Sequence, residues 1–164
     1  MRSATPVIEV VPATPAGVPL ILAWINDLAA YERQPEAVVA TEPLLQAWLF
    51  GPDPAAEAAV AYLDGEPAGY ALWFRTFSTW LGRPGLWLED LYVPPALRRR
   101  GVGTALLRHV ARLARERGYG RVEWSALDWN DLAIDFYRGL GALRLDEWTT
   151  YRLDGPALAD LAGL

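Results

Sequence analysis

Arg98-Arg99-Arg100-Gly101-Val102-Gly103 is the stretch on which the reading of this chain turns. Before it, Leu86 to Val93 alternates branched and aromatic residues as a strand does, and Pro94-Pro95 stops it. After it, Val102, Leu106, Val110 and Leu113 fall at helical spacing, Thr104, Arg108, Arg112 and Arg115 face away, and Gly118 supplies an end. The glycines therefore stand at a strand-to-helix junction. Unpaired backbone N–H groups and the positive end of the helix dipole converge at such a junction and make it an anion site. A dinucleotide fingerprint would want glycine where Leu106 stands, and a P-loop would want Gly-Lys-Ser/Thr, so neither fits. The blander alternative is a solvated run of charge.

Working outward, Gly82-Arg83-Pro84-Gly85 reads as a break before the strand. Ala58 to Leu63 and Pro67 to Phe77 read as an antiparallel pair joined at Asp64-Gly65, a strong hairpin signal. Val7 to Val11 reads as a short strand and Pro12 to Pro19 as a turn. A helix then runs to about Tyr31 on a stripe of Leu20, Ala23, Trp24 and Leu28. A second helix is expected from a Thr41 cap to Phe50. Downstream, Arg121 to Ala126 reads as a strand, Asp131 to Leu140 as a helix closed by Gly141, and Thr149 to Leu153 as a last strand. This order implies an α/β fold, a mixed sheet with helices on its faces.

The length of 164 residues suits one domain, 1–164, with no linker or repeat. Net charge is −5, yet all 15 basic residues are arginine and three of them adjoin in the loop. An acidic whole argues against nucleic-acid binding, whereas one local cluster suits one phosphorylated ligand. Cysteine is absent, which removes disulfides, thiolate metal sites and a cysteine acyl-enzyme. With a single histidine, His109, no metal site is expected. No apolar run approaches the ~20 residues of a membrane span. The start, Met1 to Pro6, lacks a signal peptide's apolar segment, so a cytoplasmic protein is expected.

The pattern Arg98-xx-Gly101-x-Gly103 after Leu91-Tyr92-Val93-Pro94 does not stand alone. Asp128-Trp129-Asn130 and Asp135-Phe136-Tyr137-Arg138-Gly139-Leu140-Gly141-Ala142 follow it. Together they resemble the GNAT superfamily of N-acetyltransferases. Trp80-x-Gly82-Arg83, Leu88-Glu89-Asp90-Leu91-Tyr92-Val93 and Leu28-Ala29-Ala30-Tyr31-Glu32 are similar to its diamine (spermidine/spermine) and thialysine branch. The likeness runs from about Val7 to Leu153.

That resemblance implies a mostly antiparallel central sheet with one splayed strand pair, flanked by helices. It implies acetyl-CoA as co-substrate, held by Arg98, Arg99, Arg100, Gly101, Val102, Gly103 and Thr104, with Leu91 and Val93 offering backbone groups to the pantetheine arm. Asn130 would bind the cofactor near Tyr137, and Tyr137 would touch it and protonate the departing thiolate as general acid. A half-buried aromatic on an amphipathic helix is the other reading of Tyr137. Adjacent Glu89 and Asp90 would point to opposite faces of a regular strand, and the family is known for a bulge there. Glu89 then takes the base or amine-binding role and Asp90 a supporting one; ordinary exposed strand charges are the alternative. Tyr31, Glu32 and Trp80 complete the implied acceptor site, and Trp80, Trp87 and Trp129 also read as packing.

The function implied is direct acetyl transfer to a primary amine of a small molecule: a diamine, a polyamine or a lysine- or thialysine-like compound. Arg75 and Arg83, read as lying on the acceptor side, count against a polycationic acceptor, and Arg83 favours one carrying a carboxylate over a long polyamine. A protein N-terminus, an antibiotic amine, or a non-catalytic acyl-CoA-binding module remain alternatives. The branch also implies a homodimer, to which Gly155 to Leu164 would contribute a contact.

Overall fold

The Asp64-Gly65 turn organises the first part of the chain: both residues have positive φ (53° and 88°), as a tight two-residue hairpin turn demands. It joins β2 (Glu57–Leu63) to β3 (Glu66–Ser78), and Asp64 also accepts a hydrogen bond from the Val7 N–H at 2.9 Å, fastening β1 (Ile8–Pro12) alongside. In this computed structural model, which describes residues 6–163, β4 (Arg83–Tyr92) and β5 (Val122–Glu123) complete a sheet of order β1-β2-β3-β4-β5. All neighbours are antiparallel except β4 and β5, which run parallel. The signal-peptide reading of Met1 to Thr5 and the residue Leu164 lie outside the described residues. The chain divides into two compact units, Met1–Ser125 and Ala126–Leu164.

In the first unit the sheet is covered on both faces. On one lie α1 (Val18–Tyr31), entered through a 3-10 turn at Pro15–Gly17, and α2 (Glu42–Phe50), whose N-terminus the Thr41 hydroxyl caps by accepting from the Leu44 N–H. Ile21, Trp24, Leu49, Val60, Tyr70, Leu72 and Tyr92 are the buried heart of this layer. The stripe of α1 is Val18, Ile21 and Trp24 with Leu28 half-buried; Ala23, expected within it, is exposed. On the other face α3 (Val102–Glu116) buries Val102, Leu106, Leu107, Val110 and Ala114.

β4 starts earlier than expected, because Arg83, Pro84 and Gly85 already pair with β3. Pro84 is tolerated since its carbonyl faces away from β3, accepting from the Gly120 N–H at 2.8 Å, and its missing N–H points the same way. Gly85 lets the β5 chain approach, for a Cβ there would lie 2.8 Å from the Arg121 carbonyl oxygen. β5 is shorter than the expected 121–126, its pairing confined to Leu86↔Val122 and Trp87↔Glu123. The parallel pair is thus joined only near the start of β4, the splay expected of the fold.

The second unit holds α4 (Asp131–Gly139) and α5 (Gly155–Ala162). Gly141 closes α4 at φ 87° as expected. Thr149 to Leu153 is not a strand, and the chain there has no regular structure. Its β-forming residues need a ladder and a packed face, and Tyr151 is 90% exposed.

Candidate active site

The acidic cluster of the first unit is built by one irregularity in β4. Trp73 pairs with Leu88 and Leu72 with Asp90, so Glu89 is an extra residue with no partner on β3. This is the bulge the resemblance implied, and it changes which way the strand's side chains point. Leu88 stays buried on the α3 face with Trp73, while Asp90, opposite Leu72, turns to the α1 face. Glu89 turns the same way, since its carboxylate accepts from the Trp87 indole N–H at 2.9 Å and Trp87 pairs with Phe74, two residues beyond Leu72.

The C-terminal end of α1 brings Glu32 to the same place. Burial, then the Asp90 and Glu89 charges, push its carboxyl above the ordinary carboxylate value. Asp90 is also raised, by burial first and by Glu89, against a lowering hydrogen bond from Tyr70. That bond runs from the Tyr70 hydroxyl to Oδ2 of Asp90 at 2.8 Å. Among the described residues no arginine forms an ion pair with any of the three carboxylates. Three like charges, two of them partly desolvated and none neutralised, form a site with a strong preference for a cation.

The arginine loop lies where β4 gives way to α3. The Arg98 Nε–H donates to the Val93 carbonyl at 3.0 Å, and its guanidinium stacks 4.6 Å over the ring of Tyr31, the neighbour of Glu32. Arg99 adopts φ 63° and Gly101 φ 88°, left-handed conformations that turn the chain sharply into the helix. The N-terminus of α3 has no side-chain cap and no acidic residue in its first turn. It thus differs from α2 and α4, capped by Thr41 and by Asn130. Val102, Gly103 and Thr104 contribute first-turn N–H groups that make no intrahelical bond. The donor set fits a pyrophosphate: converging amides, a helix dipole and exposed Arg99 and Arg100, with no acidic residue in the turn itself and only a loose 4.0 Å ion pair from Arg100 to Asp64. Leu91 pairs with Ala71 on β3, beyond the point where β5 has left β4.

Trp80, 85% exposed, sits in the β3–β4 turn. That turn is at the opposite end of β4 from Glu89, about 20 Å away along extended chain from Arg83. Arg83, and Arg75 opposite Leu86, lie toward that same end, which corrects their expected place beside the acceptor. In the second unit the Asn130 side-chain oxygen caps α4, accepting from the Ala133 N–H at 3.3 Å. Tyr137 is half-buried on that helix, its ring 5.3 Å from Phe136. His109, read as having no role, packs against Trp73 at 5.8 Å, and burial and then Arg112 lower its pKa. No group of histidine, cysteine or acidic residues among those described has the makings of a metal site. No helix is long and apolar enough to cross a membrane.

Sequence reasoning missed Tyr70. It looked like any strand aromatic, and its partner Asp90 stands 20 residues further on, across a register set by a bulge.

A mixed sheet splayed after one strand, with an uncapped glycine-arginine turn leading into a helix, defines an acyl-CoA-binding acyltransferase. The chain belongs to the acetyltransferase (GNAT) family, which it matches over residues 21–142, and is an acetyl-CoA-dependent N-acetyltransferase. It is 38% identical to the thialysine N-epsilon-acetyltransferase of Sus scrofa over 87% of this chain and 90% of that protein. It is 31% identical to an L-ornithine N5-acetyltransferase of Arabidopsis thaliana over 89% of this chain and 84% of that one. An integron cassette protein from the mobile metagenome of V. cholerae has the same fold, with a TM-score of 0.77 at 24% identity over 94% of this chain and 97% of that one.

Proposed function

We propose that this enzyme acetylates the side-chain amine of a small amino-acid-like diamine of the lysine, thialysine or ornithine type. The observation that carries the reading is the cluster of Glu32, Glu89 and Asp90, three coupled carboxylates that form no ion pair with an arginine among the described residues. The thialysine and ornithine acetyltransferases among its relatives support the amino-acid acceptor. Arg83 no longer does, because it lies toward the far end of β4.

Acetyl-CoA supplies an activated thioester. Arg98, Arg99, Arg100 and the amides of Gly101 to Thr104 would hold its phosphates, Leu91 and Val93 its pantetheine arm, and Asn130 the cofactor near Tyr137. Glu89, directly or through water, takes the proton that the acceptor ammonium must lose before its nitrogen can attack. Asp90 and Glu32, with Tyr31, hold the acceptor, and Trp80 keeps its place in the proposal as a residue implied by resemblance alone. The Tyr137 hydroxyl gives its proton to the departing thiolate sulfur. As the C–N bond forms, the C–S bond breaks, and no acyl-enzyme is needed. The family match extends from the first compact unit into the second as far as residue 142, which supports one catalytic domain. The working form is a homodimer in the cytoplasm, as the resemblance implies.

Coenzyme A release across putrescine, spermidine, thialysine, lysine, ornithine, an aminoglycoside and an N-terminal peptide tests the reading. The highest kcat/KM is expected on the amino-acid diamines. Activity confined to the peptide or the aminoglycoside would remove the acceptor assignment and leave the family standing.

A further inference from the structure

We propose that Tyr70 is a positioning residue of the acceptor site: its hydroxyl fixes the Asp90 carboxylate so that one oxygen is held by the protein and the other is presented to the acceptor's cation. This rests on the acceptor reading above and adds to it a residue that touches neither substrate.

Tyr70 is fully buried, with its ring stacked on Trp24 at 5.9 Å and 9° and tilted against Tyr92 at 6.5 Å. A phenol so enclosed needs a partner for its hydroxyl, and a backbone carbonyl would have satisfied it. The partner is instead Oδ2 of Asp90, at 2.8 Å. A hydroxyl donating to an ionised carboxylate makes one of the stronger hydrogen bonds, and it favours the charged form of the acid.

The groups facing Asp90 explain why that matters. Glu89 beside it on β4 raises its pKa, as burial does, and the Asp90 charge in turn raises that of Glu32 on α1. Tyr70 on β3 opposes both effects at Asp90. Further along the same face Tyr92 lies beside Asp27 and Arg98. Without the tyrosine hydroxyl, Asp90 would be protonated at higher pH and free to rotate, and a neutral or misdirected acid holds an ammonium poorly.

The test compares Tyr70→Phe, Asp90→Asn and the double variant for acceptor KM, acetyl-CoA Kd and the pH dependence of acceptor KM. Phenylalanine keeps the stacked ring and removes only the donor. We expect Tyr70→Phe to raise acceptor KM roughly tenfold, leave acetyl-CoA Kd unchanged and move the acidic limb up by about one pH unit. The double variant should be no worse than Asp90→Asn alone, since the hydroxyl acts through that carboxylate. Additive losses, or an unmoved acidic limb, would overturn the proposal and return Tyr70 to simple packing. If Asp90→Asn leaves acceptor KM unchanged, the acceptor reading itself falls and the positioning role falls with it. Should Tyr70→Phe not fold, 3-fluorotyrosine at position 70 makes a stronger donor of nearly the same shape. It should move the acidic limb to lower pH, and no movement or the opposite one would refute the role.

Discussion

Replacing Glu89 by glutamine should make the unliganded enzyme more stable and a worse catalyst at the same time. Glutamine keeps a carbonyl oxygen to accept from the Trp87 N–H, so the bulge retains its 2.9 Å contact and only the charge is lost. Glu89 and Asp90 are consecutive residues turned to one face, and a separation of about 6 Å, just under two strand rises, sets the scale for their carboxyl groups. At the dielectric of bulk water, the floor for a pair of which Asp90 is partly desolvated, that repulsion is about 0.7 kcal/mol, and measured exposed pairs are worth ~0–1 kcal/mol. The Glu32 charge adds to it. We expect a gain of about 0.5–1 kcal/mol at neutral pH, or roughly 1–4 °C in Tm for a chain of this size.

The pH dependence carries a sign. Folding raises the pKa of both Asp90 and Glu32. Their contribution to stability is therefore unfavourable at neutral pH, shrinks as pH falls through those raised values, and vanishes where both states are protonated. The advantage of Glu89→Gln should shrink the same way and be gone by about pH 3. Acceptor KM should rise roughly 10–100-fold, the worth of a charge-assisted hydrogen bond, or turnover should fall, with acetyl-CoA Kd unchanged. Calorimetry from acidic to neutral pH and steady-state kinetics on thialysine check both halves. A Tm at or below that of the parent at neutral pH, or a gain that persists at pH 3, would refute the argument from repulsion.

Tyr137→Phe should lower turnover about 10²–10⁴-fold with little change in acetyl-CoA affinity, as loss of a general acid requires; unchanged turnover in a folded variant would assign Tyr137 to packing. Acetyl-CoA at about 100 times its Kd should stabilise the protein by ~2.7 kcal/mol, read as a rise in Tm that an unchanged melting curve at millimolar ligand would deny. Gly101→Ala places a Cβ at φ 88° and 3.3 Å from the Ile8 side chain, so it should cost ~1–2 kcal/mol of stability and weaken acetyl-CoA binding several-fold. Differential scanning calorimetry and isothermal titration would show both effects or neither.

What could be read from the sequence was whatever local chemistry decides. Asp64-Gly65 needs two positive φ values whatever surrounds it, Thr41 caps the amides just beyond it, and the apolar period of α3 is set by one helix alone. Reading failed where a partner far along the chain decides. Thr149 to Leu153 has strand-forming side chains and no ladder, and Pro84 pairs with Phe77 because its missing N–H happens to face away from β3. The acidic site fell between these cases. Glu89 and Asp90 were visible as neighbours, but only the slip in register against Leu72 and Trp73 turns both to one face.

That slip also explains how one strand faces two different helices. Without it, Asp90 would follow Leu88 onto the α3 face, a buried carboxylate among Leu86, Leu106 and Val110 and far costlier than where it stands. With it, β4 gives its hydrophobic residues to α3 up to Leu88 and its polar ones to α1 from Glu89 onward, then ends at Tyr92. Gly69 permits the close pairing at that end, since a Cβ there would meet the Tyr92 carbonyl oxygen at 2.4 Å. Eight residues then separate Tyr92 from Gly101, the glycine that opens α3. A deletion between Asp90 and Arg98 would move the arginine loop relative to the carboxylates.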